Sequence, residues 1–173
     1  MKELVTVIMP TYNHDKYIER AINSVLCQTY NNWELIIIDN HSTDNTEKII
    51  KNFSDNRIKF LSIKNKGVIA ASRNLGIKNA KGTWVAFLDS DDWWEKEKLM
   101  LCLSSINSDI DFIYHNMKIN REKTQLVFKK VIKARQLKAP VLLDLLNTGN
   151  IICNSSVIVR KNLLNSGRRI PIS

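Results

Sequence analysis

The sequence predicts an α/β fold: a mostly parallel central sheet flanked by helices, in one domain spanning residues 1–173. Three observations carry this. Short β-branched apolar segments recur through the first two-thirds of the chain. Amphipathic stretches of about ten to fifteen residues separate them, the length of right-handed crossover helices between parallel strands. Polar clusters follow the apolar segments on the same side, where such sheets gather their ligands.

Taken in order, LVTVIMP (4–10) is apolar without alternation, the pattern of a strand buried on both faces. DKYIERAINSVLCQ (15–28) places Tyr17, Ile18, Ala21, Ile22, Val25 and Leu26 at helical spacing. WELIIID (33–39) is a second buried strand, and STDNTEKIIKNF (42–53) is a short amphipathic helix opened by good N-cap residues. RIKFLSI (57–63) alternates like a strand with one wetter face, GVIAASRNLGIKNA (67–80) reads as a helix that Gly76 weakens, and WVAFLD (84–89) is a further strand. Asp92 and Glu95 have a capping-box-like spacing at the head of a helix predicted through about Leu103. Beyond residue 108 the pattern loosens. Residues 109–116 and 125–132 are strand-like and suit antiparallel pairing, 139–147 is a short helix with Pro140 in its first turn, and 155–161 is strand-like. The chain therefore divides into a regular half, 1–108, and an irregular one, 109–173.

At 44% hydrophobic and 25% charged, the composition is that of a globular protein, and 173 residues bury a core without disulfides. No apolar run of 18 residues and no signal-peptide pattern occurs, so a cytoplasmic protein is expected. Cys27, Cys102 and Cys153 lie far apart in apolar settings and read as buried free thiols. His14, His41 and His115 are scattered, form no metal-binding pattern and are expected to have no chemical role. The net charge of +9 is uneven: eight Lys or Arg fall between Lys118 and Lys138, against Glu122 alone. A solvated face is the plain reading. The sharper one is attraction by Lys129, Lys130, Lys133 and Arg135 to phosphates of an anionic lipid surface or a lipid-linked substrate. Nucleic acid is not expected, because the stretch lacks interleaved aromatic residues.

VAFLDSDDWW (85–94) runs an apolar strand into Asp89, Asp91 and Asp92. Crowded carboxylates repel one another, and a cation relieves the repulsion. The first strand is followed by PTYNHD rather than a glycine-rich phosphate loop, no GxxxxGK[ST] motif occurs, and the five glycines are spread out. A nucleotide diphosphate held here would need a metal and side chains to neutralise it. The carboxylates flanking Ser90 offer hard oxygens suited to Mg²⁺ or Mn²⁺.

The ordered set PTYN, DNHSTDNT, SRNLG and DSDDWW, over residues 4 to about 103, resembles the nucleotide-sugar half of family 2 glycosyltransferases, which adopt the GT-A (Rossmann-like nucleotide-diphospho-sugar transferase) fold. TGNIICNSSVIVRK (148–161) resembles a segment beside the acceptor site of that family. The resemblance implies an inverting transferase that moves a sugar from a nucleotide-sugar donor, a UDP-sugar with dTDP- and GDP-sugars as alternatives, to a glycan or lipid-linked acceptor in bacterial polysaccharide synthesis. It implies that Thr11 and Tyr12 line the base site, that Asn13 supports that loop and that Asp39 reads the base imide. It places Arg73 near the base or diphosphate, and Asp89, Ser90 and Asp91 around the ribose, metal and diphosphate, with Asp89 and Asp91 as the metal ligands. Each also has a plain reading as a turn, cap or surface residue.

The chain departs from the family pattern twice. Asn40 stands where a second acid is common, which puts a ribose contact in doubt. Residues 145–173 contain no Asp or Glu, although the family's base is usually a carboxylate beyond the segment matching SSVIVRK. The expectation is a chain truncated on its acceptor side, which binds nucleotide but transfers slowly or not at all, and whose uncovered apolar surface favours self-association. The late acids Asp109, Asp111, Glu122 and Asp144 could not be placed near an acceptor. A binding-only module is thus the alternative, and a sugar-phosphate nucleotidyltransferase is disfavoured by PTYNHD.

Overall fold

A computed structural model describes residues 3–119 and 130–165. Glu122, Lys129, Arg168, Arg169 and most of the strand expected at 125–132 lie outside the described residues.

Four parallel strands form the body of the sheet: β1 (Val5–Thr11), β2 (Trp33–Asp39), β3 (Ile58–Ser62) and β4 (Trp84–Phe87). The crossovers are α1 (Ile18–Leu26), α2 (Thr46–Lys51) and α3 (Ile69–Asn79). After α4 (Lys98–Ser104), β5 (Phe112–Ile113) and the later β8 (Ile158–Arg160) complete a six-stranded sheet in the order β3-β2-β1-β4-β8-β5. β8 runs antiparallel to both β4 and β5, a direction expected for residues 109–116 but not read for 155–161. β6 (Met117–Ile119) and β7 (Lys130–Ile132) form a separate antiparallel ribbon. α5 (Val141–Thr148) follows, with Pro140 just ahead of it rather than inside its first turn, and α6 (Lys161–Asn165) follows β8.

The lack of alternation in β1 has a direct cause: both of its faces are covered. Val5, Val7 and Met9 pack with Ile18, Ile22 and Val25 of α1 and Leu99 of α4. Ile8, on the other face, packs with Ile36 and Ile38 of β2, Ile77 of α3 and Val85 and Phe87 of β4. Burial of each such side chain contributes about 1.5–3 kcal/mol, so the central strands dominate the core.

Two expected helices begin later than their sequence signals. Residues 42–45 precede α2, because Ser42, Thr43 and Asp44 spend their polar groups on neighbouring loops. α4 opens at Lys98 with Glu97 as its N-cap residue, not at an Asp92–Glu95 capping box. Gln28 fixes that start: buried at the end of α1, it donates to the carbonyls of Ser24 and Glu95, 2.9 Å each, and accepts the Leu99 N–H at 3.0 Å. Of the cysteines only Cys102 is fully buried. Cys27 is exposed, since it caps the solvent end of α1, and Cys153 is half-buried. Apolar side chains do stay uncovered on α4 and α5, where Leu101 is 63% and Leu146 is 71% exposed.

Gly76 is less a weakness of α3 than a condition of its seating. A Cβ there would lie 2.6 Å from Ile8 Cγ2 and 3.0 Å from Ile38 Cδ1. At Gly82 a Cβ would lie 2.6 Å from both the Leu4 carbonyl oxygen and the Thr6 nitrogen, which are backbone and cannot step aside. Gly76→Ala is therefore expected to lower the melting temperature: overpacking costs about 1–3 kcal/mol against a helix-propensity gain of about 1 kcal/mol. Gly82→Ala should cost more than Gly76→Ala. Thermal unfolding of the two variants checks the order, and a Gly82→Ala protein as stable as the parent would overturn the close-approach argument.

Candidate functional site

The chain leaves β1 toward β2 and β3 on one side, then returns to place β4 on the other. The loops after β1, β2 and β4 all leave the sheet at one edge, beyond the strands' carboxyl ends, where open α/β sheets usually have their ligand crevice. Three polar loops meet there.

The first follows β1. Thr11 is paired with Asp39 across β1 and β2, and its hydroxyl is buried without a hydrogen-bond partner. Tyr12 is 51% exposed, its ring free for contact from the solvent side. Asn13 turns the chain with φ 52°, a left-handed conformation that asparagine tolerates better than most residues. The turn is fixed from the second loop: Asn13 N–H donates to Ser42 Oγ at 2.9 Å, and Asn13 Oδ1 accepts the Thr43 N–H at 2.7 Å. His14 N–H donates to Thr46 Oγ1 at 2.9 Å and Asp15 N–H to Asp44 Oδ2 at 3.0 Å.

The second loop follows β2. Asp39 is 1% exposed, and its carboxylate accepts both the N–H of Ser42, at 2.9 Å, and the Ser42 hydroxyl. A carboxylate has about four acceptor positions, so Asp39 keeps capacity for a further donor. Desolvation works to raise the Asp44 pKa, but hydrogen bonds from Thr46 and Asp15 outweigh it and hold Asp44 below the usual carboxylate range. Asn40, the residue at which the family pattern is broken, accepts the Asn65 N–H at 3.1 Å and so braces the approach to α3.

The third loop follows β4. Leu88 N–H continues the ladder to the Ile8 carbonyl at 3.0 Å, and Asp89 N–H then leaves the sheet for Ser155 Oγ, also at 3.0 Å. Asp89 Oδ1 accepts from Arg73 Nη2 at 2.7 Å, while the Arg73 Nε is buried with no partner. Ser90 is 1% exposed, with its hydroxyl 2.6 Å from His14 Nδ1, and Asp91 faces solvent. Burial first, and then the charges of Asp91 and Asp89, push the Asp92 carboxyl up against the opposing pull of Ser155 and Arg20. The smaller part of that push, from Asp91 and Asp89, is the crowding of carboxylates that a cation would relieve. Among the described residues no three His, Cys, Asp or Glu side chains form a ready-made metal cluster. Asp89 and Asp91 instead suit an Mg²⁺ or Mn²⁺ ion that is held by one or two carboxylates and completed by water and substrate phosphates.

The candidate residues named from the sequence lie on the loops at one edge of the sheet or bond to them, and several neighbours join them. His14, expected to be inert, bridges the first and third loops through Ser90; only its place directly after Asn13 hints at this. Ser155 grips the third loop twice over, since its carbonyl also accepts Trp94 Nε1–H at 2.8 Å. Arg20 of α1 lies 3.9 Å over the Trp93 ring. The late acids among the described residues have partners of their own. Asp111 accepts from Arg160 Nε at 2.5 Å, Asp144 from Arg135 Nη1 at 2.5 Å, and Asp109 from the Ser108 hydroxyl at 3.0 Å. In the basic stretch, Arg135 keeps a third of its side chain exposed while pairing with Asp144.

The profile of Glycosyl transferase family 2 matches residues 6–165. The chain is 45% identical over 117 residues to UDP-Glc:alpha-D-GlcNAc-diphosphoundecaprenol beta-1,3-glucosyltransferase WfgD of Escherichia coli, covering 67% of this chain and 46% of that one. It is 45% identical over 100 residues to the putative teichuronic acid biosynthesis glycosyltransferase TuaG of Bacillus subtilis, covering 57% of this chain and 40% of that one. The structure matches S. aureus TarS 1–349 in complex with UDP-GlcNAc with a TM-score of 0.71 at 28% identity, over 95% of this chain and 47% of that one. It shares its fold with the mannosyltransferase PcManGT of Pyrobaculum calidifontis, with a TM-score of 0.72 at 17% identity, over 98% of this chain and 48% of that one. The chain thus spans less than half the length of these four proteins. It belongs to glycosyl transferase family 2.

The double grip of Ser155 is measurable. Ser155→Ala leaves the buried Asp89 N–H without its acceptor, at a cost of about 1–3 kcal/mol. The expected result is a lower melting temperature, and an unchanged one would show that the loop after β4 holds itself in place.

Proposed function

We propose that the protein transfers a sugar from a UDP-sugar to a hydroxyl of a glycan or lipid-linked acceptor, with Mg²⁺ or Mn²⁺ as cofactor. One observation supports this reading: Tyr12, Asp39, Arg73, Asp89 and Asp91 lie on or beside the loops at one carboxyl edge of the sheet, and hydrogen bonds between those loops fix their places. The printed names of the relatives support the donor class, since WfgD is named for UDP-Glc and TarS is seen with UDP-GlcNAc.

In this reading Tyr12 stacks on uracil from its exposed side, over a floor that includes Thr11. Asn13 holds the turn that presents Tyr12. Asp39 accepts the imide N–H while Ser42 occupies its other acceptor positions. Arg73 pairs with Asp89 in the free protein and keeps the Nε donor for the diphosphate, and Ser90, tied to His14, fixes the spacing of the two aspartates. Asp89 and Asp91 would hold the divalent ion, which when bound neutralises charge on the leaving diphosphate. A second reading, nucleotide binding without turnover, is favoured by the ties of Asp111 to Arg160 and of Asp144 to Arg135, which take both acids out of the role of acceptor base. Exposed Lys133 and Lys138, on the other hand, support peripheral attraction to an anionic membrane surface carrying the acceptor. Sedimentation with anionic vesicles should exceed that with neutral ones and fall with salt; equal sedimentation would reduce these lysines to a solvated face.

Two substitutions test the donor site. Asp91→Asn should fold normally, because the side chain is exposed, and should abolish the Mn²⁺ dependence of UDP binding in isothermal titration. Asp39→Asn presents an amide where an acceptor is needed. A hydrogen bond to a charged group contributes about 1.5–3 kcal/mol, so UDP affinity should fall about tenfold to a hundredfold, whereas CDP affinity should change little. Equal losses for the two nucleotides would remove Asp39 from base reading. A UDP-release assay over a panel of UDP-sugars and simple acceptors separates transfer from binding alone.

A further inference from the structure

Beside the nucleotide crevice, a second cleft of about 640 Å³ opens between α4 and the chain from β5 to β6. Asp92 and Trp93 form one rim, so it begins where the Asp89–Asp91 loop ends. Two buried nitrogens in its lining make no hydrogen bond: Nζ of Lys98 and Nε2 of His115. Lys98 is only 6% exposed, and its Nζ lies 3.5 Å over the Trp94 ring. Burial pushes its amine down to about 7. Nδ1 of His115 lies 2.8 Å from the Asn116 carbonyl, which can only accept, so Nδ1 carries a proton. Burial, aided by the Lys98 charge and opposed by the Asn116 hydrogen bond, pulls this histidine below its usual range and keeps it neutral. Nε2 therefore presents a lone pair.

The cleft thus offers one unused donor and one unused acceptor. An anion would satisfy Lys98 but confront the His115 lone pair and the acids Asp92, Glu95 and Glu97 on the lining. An ammonium would satisfy His115 but confront Lys98. A hydroxyl serves both, and the partly exposed Tyr114 ring on the lining suits the C–H face of a sugar. We propose that this cleft is a saccharide subsite in which one sugar hydroxyl accepts a hydrogen bond from Lys98 Nζ and donates one to His115 Nε2. Saccharide recognition stands on the cleft alone, and only the identification of that saccharide as the acceptor rests on the transfer reading.

Saturation-transfer NMR with methyl β-D-glucoside and methyl N-acetyl-β-D-glucosaminide, without nucleotide, tests this on the wild-type chain and on Lys98→Met and His115→Phe. At least one glycoside should receive saturation, and the affinity should fall by about tenfold or more in either variant, with UDP affinity unchanged. Persistence of the signal under saturating UDP and Mn²⁺ identifies an acceptor sugar. Displacement by UDP-glucose but not by UDP identifies the donor's sugar in the same subsite. No signal from either glycoside, signals indifferent to both substitutions, or displacement by inorganic phosphate would overturn the proposal. Glycoside binding without any UDP binding would instead sink the transfer reading and leave the subsite standing. Lys98→Met carries its own control on folding. The folded protein bears a buried charge without a counter-ion below about pH 7, and the penalty fades as the pH climbs toward lysine's ordinary value, so stability rises over that window. The substitution removes the penalty and should raise the melting temperature, more at pH 6 than at pH 9. A lower melting temperature at pH 6 would show that Lys98 is already partnered and would end its candidacy.

Discussion

The site depends on β1 being paired on both sides by parallel strands. Val5 to Thr11 run in register with Trp33 to Asp39 on one side, and Val5 to Ile8 with Trp84 to Phe87 on the other. Parallel pairing sends every following loop to the same edge, where the loops after β1 and β4 meet through His14 and Ser90. The placement of the site follows from topology. What the sequence must supply is a central strand apolar on both faces and flanking contacts close enough to hold the register, which is where Gly76 and Gly82 act: one lets a helix down onto β1, the other lets the turn before β4 pass the backbone at Leu4 and Thr6.

The loops at that edge stay ordered because their polar groups are spent on one another. Ser42, Thr43, Asp44 and Thr46 would have been an ordinary helix start; here they hold Asp39, Asn13, Asp15 and His14. The Arg73–Asp89 pair is more exposed on its carboxylate side, with side-chain exposures of 12% and 30%. Its net contribution to stability is correspondingly modest, and its value is positional: it keeps a carboxylate at the crevice rim in a fixed orientation. Of the five buried side-chain atoms without a hydrogen-bond partner among the described residues, the Thr11 hydroxyl and the Arg73 Nε belong to the candidate site, and the Lys98 Nζ and His115 Nε2 to residues lining the cleft beside α4.

The body of the fold was legible because its signals are local. β2 lies where WELIIID placed it, and β1, β3 and β4 lie within two residues of their expected ends, because continuous β-branched runs leave few alternatives. Helix starts were less legible: Ser42 and Asp92 are good cap residues, but side-chain hydrogen bonds to distant loops outcompeted capping at one, and Gln28 set the start of the helix at the other. The candidate crevice residues came from motif spacing, and their neighbours did not. The contact between His14 and Ser90 joins residues 76 apart in sequence, and nothing in the periodicity of either segment reports it. Lys98 left one trace, a charge on the face that also carries Leu99 and Cys102. After residue 108 short strands and turns carry too little periodicity, and β8 found its partners only through the antiparallel edge that β4 presents.

The reach of Ser155 into the loop after β4 has a consequence for how such chains can diversify. The segment from residue 109 onward looks like an appendage whose sequence could drift or be exchanged wholesale to meet new acceptors. Yet it returns as β8 alongside β4, and through one hydroxyl and one carbonyl it anchors Asp89 and Trp94. Grafting a foreign second half onto the first would therefore disturb the aspartate spacing unless the graft restored an equivalent seryl contact. Change in the second half is thus tethered to the first at Ser155 as well as along the pairing of β8 with β4.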